Sequence, residues 1–287
     1  MMDEKLEFEP SMGGTPLNEN ETPEYTVVDG PGPTSDSSHR GSILIYDEYG
    51  YDSADPEEWV DDWIAPARFA PYLDACDGDT DKALDLYEWN MAVGQILDRD
   101  ISHFEIALRN AYDRVMCDRW GEDWLVDRSS PVQKPILRKN KRGRTTDLNK
   151  VSRKEIKYAK AGLPRNHTHD ALVSALMLGF WVHLSDRTRE AEIWRTGLYK
   201  AWPKGTNRAE LHARLLGVLR TRNRVAHPER QFDPRGSCPP PTVAERDAID
   251  LFRMLCPGAA DWAYGNDNET PLTRFLGQYP APPGISI

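Results

Sequence analysis

The segment THDALVSALMLGFWVHL, residues 168–184, decides the fold that we predict for this 287-residue chain. When it is drawn as a helix, apolar side chains occupy nearly every face, and a helix that is apolar all round is buried. We therefore predict that it forms the centre of a helical bundle. No apolar run reaches about 18 residues, so the sequence predicts no membrane span.

Helical periodicity on both sides of this segment predicts the rest of the bundle. One helix is expected to begin at an Asp79–Thr80 cap and to end near Leu97, and a second to run from Ser102 to just before Gly121. Further helical pieces are expected over 190–200, from a cap at Thr206 or Asn207 up to the disturbance at Pro228, from Val243 to Leu255, and over 270–278. No strand pattern stands out, and the predicted fold class is all-α.

The charge is divided unevenly along the chain. Residues 1–65 contain 17 Asp/Glu against Lys5 and Arg40, so the remainder has a net charge of +5 although the whole chain has −10. We predict an acidic, largely disordered segment over residues 1–64 and a helical domain over 65–287. Residues 42–63 mix aromatic and acidic side chains, which fits either a segment docked on the domain or a solvated linker.

Residues 134–166 form the most basic stretch, with twelve Lys/Arg against only Asp147 and Glu155. Its first half is expected to be a loop, and its second half a helix that Asp147 caps and that ends at Lys160. Such a cluster favours binding to a polyanion, with a solvated positive face as the alternative.

Metal and cofactor chemistry find little support in the sequence. The four cysteines are scattered, which predicts neither a disulfide framework nor a zinc site and fits a reducing cytoplasm. His167 and His169 have no carboxylate or thiol partner at ligand spacing, so we interpret them as a pair at the start of a helix. We expect no metal and no cofactor.

A second stretch, LRTRNRVAHPE at residues 219–229, combines the residue types needed to cut a phosphodiester. Arg222 offers a permanently charged planar fork for a phosphate, and His227 can exchange a proton near neutral pH. Pro228 disturbs the helix directly after His227. The alternative is an ordinary helix end, where cations favour the dipole.

Helical geometry separates these two residues. Arg222 falls on the apolar stripe of Leu211, Leu215 and Val218, where a lone cation is costly. It lies about 140° around an ideal helix from His227. We expect the pair to flank a groove whose other wall comes from a second subunit, as in a symmetric homodimer with a shared cleft.

At these residues the chain resembles the HEPN-domain ribonucleases, whose motif is Arg-x(4–6)-His with an Asn after the Arg. More narrowly, residues 65–280 are similar to Abi-like (abortive infection) proteins of that superfamily. The pieces that carry the resemblance are LYEWN at 86–90, FEIALRN at 104–110, LGFWVHL at 178–184, Ile193–Trp194 and the RNRVAH motif at 222–227. Where family members often have a second His, this chain has Pro228.

The resemblance implies a HEPN-like helical bundle and a metal-independent endoribonuclease that acts in phage defence or as a toxin. Such an enzyme leaves a 2′,3′-cyclic phosphate and a 5′-OH. His227 would act as general acid or base, Arg222 would stabilise charge on the phosphate, and Asn223 would orient either His227 or the phosphate. Candidate substrate-binding residues are Arg224, Arg220, Arg109, Glu105 and Asn110, and the last three fit a structural or orienting role as well.

Two other classes of function stay open. One is a catalytically inactive RNA-binding helical module that uses the basic surface, and the other is a protein-interaction scaffold whose acidic segment is the working part. The expected partners are RNA and a second copy of the chain, with an antitoxin or another regulator as a further partner.

Overall fold

The computed structural model describes residues 56–139, 143, 145–233, 236–265 and 269–287, and within them helices carry the fold. The prediction of an all-α chain is confirmed. The helices are α1 (Pro56–Trp63), α2 (Pro66–Ala75), α3 (Thr80–Trp120), α4 (Lys150–Ala161), α5 (His169–Ala175), α6 (Leu178–His183), α7 (Arg208–Ala226), α8 (Pro241–Leu255), α9 (Pro257–Tyr264) and α10 (Pro271–Gln278). None of the described helices is both long and apolar enough to cross a membrane.

Helix α3 is the axis of the fold and is one continuous helix of 41 residues. The prediction of two helices separated at residues 97–102 is wrong, because this stretch contains no Gly or Pro to end a helix. Both Leu97 and Ile101 are buried there. The Asp79 side chain accepts from the Lys82 N–H at the first turn, and Gly121, with φ 85°, ends the helix.

The hydrophobic core lies where α3 meets α7 and α8. Large side chains from α3 are fully buried in it, among them Trp89, Phe104, Leu108 and Tyr112. The Trp202 indole N–H donates to the Tyr112 hydroxyl at 3.1 Å, so the polar ends of both rings are satisfied inside the core.

The segment 168–184 is neither one helix nor buried on every face, because it contributes Leu172, Phe180 and Trp181 to the core while Met177 and His183 are exposed. It forms α5 and α6, with Leu176 and Met177 in extended conformation between them. The break leaves backbone carbonyls without helical hydrogen bonds, and side chains donate to them instead. The Trp181 indole donates to the Leu176 carbonyl at 3.4 Å, and Arg109 Nη1 donates to the Ser174 carbonyl at 3.5 Å. Tertiary partners thus stabilise a turn that the apolar pattern hides.

The basic stretch contains a short antiparallel hairpin, β1 (Leu137–Lys139) and β2 (Thr145–Asp147), in which Leu137 pairs with Asp147. The prediction of a loop there is wrong for these residues. Asp147 does not cap α4 directly, since Asn149 is the N-cap residue. Its carboxylate instead accepts from the backbone N–H groups of Ile136 and Asn149 and from Arg153, which fastens the hairpin to α4.

The remaining segments depart from the sequence expectations in detail. A π turn (Glu190–Trp194) lies between two 3₁₀ turns (Arg187–Arg189 and Leu198–Ala201), in place of the helical piece predicted over 190–200. Helices α8 and α10 are where they were predicted, and α9 was not predicted. Residues 1–55 lie outside the described residues, but the end of the acidic segment forms α1, and Val60 in this helix and Ile64 directly after it are buried in the core.

Candidate functional site

The Arg–His motif occupies the end of α7. The Asn207 side chain caps the start of this helix by accepting from the Ala209 and Glu210 N–H groups. The helix continues to Ala226, and His227 is the C-cap residue, whose N–H donates to the Asn223 carbonyl at 3.2 Å. The side chains of Asn223 and His227 are both exposed at this end of the helix.

Arg222 points toward α3. Its Nε lies 3.9 Å from Glu105 Oε2, and its side chain retains 23% of its exposure. The separation is longer than that of a hydrogen-bonded pair, so the guanidinium is neutralised only loosely. The cation on the apolar stripe thus has the partner that burial requires, and it still has access to solvent.

Glu105 stands between two arginines and the break that separates α5 from α6. It accepts a backbone hydrogen bond from Leu178, the first residue of α6. Burial raises the pKa of its carboxyl, while Arg222, Arg109 and the Leu178 hydrogen bond act in the opposite direction. Arg109 binds the Ser174 carbonyl, and its buried Nε has no hydrogen-bond partner among the described residues.

The structure therefore brings together three of the predicted site residues, Glu105, Arg109 and Arg222, and gives the first two a structural role at the break. Asn110 is exposed on α3. His227 anchors the helix end through its backbone, where Arg68 Nη2 donates to its carbonyl at 2.9 Å. No described contact joins the His227 imidazole to Arg222 within one chain.

Arg220 and Arg224 hold the segment that follows α7. Arg220 Nη1 donates to the Ser237 carbonyl at 2.8 Å. Arg224 donates to the Arg230 carbonyl and lies 3.8 Å from Glu229 Oε2. Both guanidiniums therefore satisfy backbone carbonyls, a role that the motif did not indicate.

A cavity of ≈ 270 Å³ lies between α3 and the end of α7, lined by residues that include Asp98, Val225 and Pro228. Its floor includes Asn90, which is buried and whose Oδ1 accepts from the Gln231 N–H at 2.5 Å. The position of Asn90 directly after the buried Trp89 was the available signal for this contact, since buried amides are hydrogen-bonded.

Helix α4 presents a basic face, which we define as Lys150, Lys154, Lys157 and Tyr158. All four are exposed, and Tyr158 retains 63% of its exposure. The Lys154 Nζ lies 5.3 Å from the centre of the Tyr158 ring. Cations beside an exposed aromatic ring suit both the backbone and the bases of a single-stranded nucleic acid.

A cluster that the sequence interpretation missed joins α3 to α5, and we call it the Asp–Cys–His cluster. It consists of Asp113, Cys117 and His169. His169 Nε2 lies 2.8 Å from Asp113 Oδ1 and 3.7 Å from Cys117 Sγ, and this sulfur lies 3.6 Å from the same Oδ1. The histidine pair was set aside for lack of partners at ligand spacing, but the fold supplies a carboxylate and a thiol.

A hydrogen bond holds the carboxylate of this cluster, and acidic side chains surround the cluster. The Trp124 indole donates to Asp113 Oδ1 at 2.8 Å. Burial and the nearby Asp113 raise the pKa of the Cys117 thiol to about 12. A cavity of ≈ 500 Å³ opens onto the cluster, and Asp118, Glu122 and Asp170 contribute to its lining.

Comparison of the chain with protein-family models, with curated proteins and with solved structures gives no match.

Proposed function

We propose that the protein is a metal-independent endoribonuclease of the HEPN type, with Arg222 and His227 as its catalytic residues. It would act in phage defence or as a toxin. The Arg–His motif and the sequence segments that resemble Abi-like proteins support the proposal, and the all-α fold is compatible with it.

The observation that carries the proposal is the environment of Arg222. Its guanidinium reaches solvent, lies 3.9 Å from a single carboxylate and has Arg109 as a neighbour of that same carboxylate. Two guanidiniums beside one half-buried acid leave positive charge at a surface that includes the end of α7. A phosphate bound there would complete the charge balance.

The chemistry follows from the residue types. His227 removes the proton of a ribose 2′-OH, and the 2′-oxygen forms a bond to phosphorus while the bond to the 5′-oxygen breaks. A protonated His227 gives its proton to the departing 5′-oxygen, which leaves a 2′,3′-cyclic phosphate and a 5′-OH. Arg222 stabilises the charge that develops on the phosphate. DNA lacks the 2′-OH and is not cut.

A homodimer with a shared cleft fits the separation of the two residues. On an ideal helix the two residues would lie about 140° apart, and in the structure His227 is the C-cap residue that follows α7, so a phosphate between them needs a second wall. Two copies of the motif across one cleft supply an acid and a base together. This dimer is part of the proposal.

A catalytically inactive RNA-binding module is the second candidate function, and the basic face of α4 favours it. Lysines beside an exposed tyrosine bind RNA without cutting it, and such binding weakens steeply as salt rises. The two functions differ in whether bound RNA is broken.

The decisive experiment incubates the purified protein with labelled RNA and with DNA of the same sequence. We expect cleavage of the RNA alone, with 5′-OH ends that accept phosphate from a polynucleotide kinase. His227→Ala should lower the rate by about 10²–10⁴ and Arg222→Ala by about 10²–10³.

Two matched variants serve as controls. His183→Ala removes an exposed histidine on α6, and Arg246→Ala removes an exposed arginine on α8 that is not among the predicted site residues. Both should keep the cleavage step, and all four variants should keep the helical circular dichroism spectrum. Cleavage by His227→Ala at the wild-type rate would overturn the assignment. Salt-dependent binding without cleavage by the wild type would select the binding module.

A further inference from the structure

Three potential metal ligands of different chemical types converge between α3 and α5. Asp113 and Cys117 are one turn apart on α3 and therefore share a face, and His169 is the first residue of α5. One carboxylate oxygen, one sulfur and one imidazole nitrogen all lie within 4.8 Å of one another.

The separations of these atoms match those around a tetrahedral zinc ion. Zinc bonds of about 2.3 Å to sulfur and about 2.0–2.1 Å to nitrogen and oxygen place sulfur about 3.5 Å from either atom and nitrogen about 3.3 Å from oxygen. The observed separations from Cys117 Sγ are 3.7 Å to His169 Nε2 and 3.6 Å to Asp113 Oδ1. Only the nitrogen–oxygen pair, at 2.8 Å, needs to open, by about 0.5 Å.

The geometry argues against a catalytic Cys–His–Asp triad. In such a triad the thiol and the carboxylate bind opposite nitrogens of the imidazole ring. Here both approach the same nitrogen, Nε2. Convergence on one nitrogen is the arrangement of ligands around a common ion.

The surroundings provide the support that metal sites use. The Trp124 indole N–H fixes the Asp113 carboxylate at 2.8 Å, and ligating carboxylates are commonly held by such a hydrogen bond. The cavity of ≈ 500 Å³ gives an ion a path to the cluster, and the acids Asp118, Glu122 and Asp170 at its lining attract cations.

We propose that the Asp–Cys–His cluster binds one Zn²⁺ ion through Asp113, Cys117 and His169, with a water molecule from the cavity as the fourth ligand. Thiolate and imidazole select zinc over the hard cations Mg²⁺ and Ca²⁺. Binding releases the thiol proton to solvent, because the thiolate is the ligand.

The ion would fasten α5 to α3. Apart from the cluster, a hydrogen bond of 3.5 Å from Arg109 to the Ser174 carbonyl joins the same two helices. This site is independent of the proposed RNA cleavage, since none of its ligands belongs to the Arg–His motif.

The test begins with protein treated with EDTA and then dialysed free of the chelator. Isothermal titration with Zn²⁺ should give one ion per chain, and Mg²⁺ should give no heat of binding. Zn²⁺ at about a hundredfold excess over its Kd should raise Tm by at least about 5 °C. Co²⁺ in place of Zn²⁺ should give a thiolate-to-cobalt charge-transfer band in the near ultraviolet.

Cys117→Ser and His169→Gln should each abolish both the cobalt band and the stabilisation by zinc. The matched control is Cys76→Ser, because Cys76 is also a partly buried thiol beside aspartates, with a pKa that burial raises. This variant should bind zinc as the wild type does. Loss of the band in Cys76→Ser, or its persistence in Cys117→Ser, would overturn the assignment.

A readout on the unmodified sequence covers variants that fail to fold. Zn²⁺ should protect one cysteine from alkylation by N-ethylmaleimide, and mass spectrometry of the peptides should identify it as Cys117. Equal alkylation with and without Zn²⁺, or the absence of any titration heat, would refute the site.

Discussion

At the scale of single residues, Glu105 connects the Arg–His motif to the rest of the fold. Its carboxylate faces Arg222 on α7 and accepts the backbone hydrogen bond that begins α6. A half-buried acid in this position holds the Arg222 side chain against α3, but it also offsets the positive charge that a phosphate would meet. The negative charge of Glu105 thus favours the folded position of Arg222 but disfavours the proposed binding of a phosphate.

Glu105→Gln should therefore tighten RNA binding. Glutamine keeps an oxygen for the Leu178 N–H and removes the negative charge beside Arg222. A unit charge about 7 Å from a phosphate is worth roughly 0.6 kcal/mol in water, which corresponds to about threefold in Kd at low salt. Fluorescence anisotropy with a labelled RNA measures the Kd of the wild type and of the variant.

Glu192→Gln is the control for this prediction, since it removes an exposed acid from the π turn and not from α3. We expect its Kd to equal that of the wild type. An unchanged Kd in Glu105→Gln would mean that RNA does not approach Arg222.

At the residue level, the sequence is informative where one helix contains the whole pattern. The apolar stripe of α7 is enough to show that Arg222 needs a partner, and the structure supplies Glu105. The Asp–Cys–His cluster had no such signal, because Cys117 and His169 are 52 residues apart and meet only after α5 packs on α3. Local spacing cannot reveal a site that tertiary packing creates.

At the scale of elements, a buried pair of carboxyl groups joins α3 to α8 and α10. Asp100 and Glu245 are both fully buried. Asp100 Oδ1 accepts from the Tyr264 hydroxyl at 2.9 Å and from Arg99 at 2.8 Å, and Glu245 accepts from Thr270 and from the Leu272 N–H at the start of α10. Burial, together with the nearby Asp100, raises the pKa of Glu245 to about 8. A protonated Glu245 donates to Asp100.

This pair should make the protein less stable as pH rises. The pKa of Glu245 is higher in the folded chain than its ordinary value near 4.5, so folding takes up a proton between about pH 5 and pH 8. The free energy of unfolding should fall across that window by an amount on the order of 2–4 kcal/mol and level off above it. Urea denaturation at a series of pH values tests this.

Glu245→Gln should flatten the pH profile, because the amide N–H₂ donates to Asp100 without titrating. Glu269→Gln, an exposed acid beside α10, should keep the wild-type slope. A wild-type stability that rises from pH 5 to pH 8 would contradict the assignment.

Element boundaries were predictable where capping residues mark them and not where packing sets them. Asn207, Gly121 and the prolines in the first turn of α8 and of α10 stand where their helices begin or end. The break at Leu176 and Met177 has no Gly or Pro, and it depends on Trp181, Arg109 and Glu105 to satisfy the freed backbone groups. The continuity of α3 likewise depends on burial.

At the scale of the whole molecule, charge asymmetry predicts competition for the basic face of α4. Residues 1–40 contain nine Asp/Glu against Lys5 and Arg40. Deleting them should tighten RNA binding several-fold at about 50 mM salt and have little effect at high salt, because screening weakens the interaction between exposed charges. Electrophoretic mobility shifts across a salt series measure the RNA affinity at low and at high salt.

The matched control keeps all 287 residues and replaces the acids of residues 1–40 by Asn and Gln. It should behave like the deletion, since the prediction depends on charge and not on length. Equal RNA affinity of the wild type, the deletion and the neutralised chain at low salt would contradict the predicted competition.

The continuity of α3 also has a consequence for synthesis on the ribosome. The helix is complete at Trp120, but it packs against α7 and α8, which end at Ala226 and Leu255. At about 5–20 residues per second, its apolar side chains wait roughly 5–30 s for their partners. A nascent chain with so long an unpaired helix depends on shielding by a chaperone until its C-terminal third emerges.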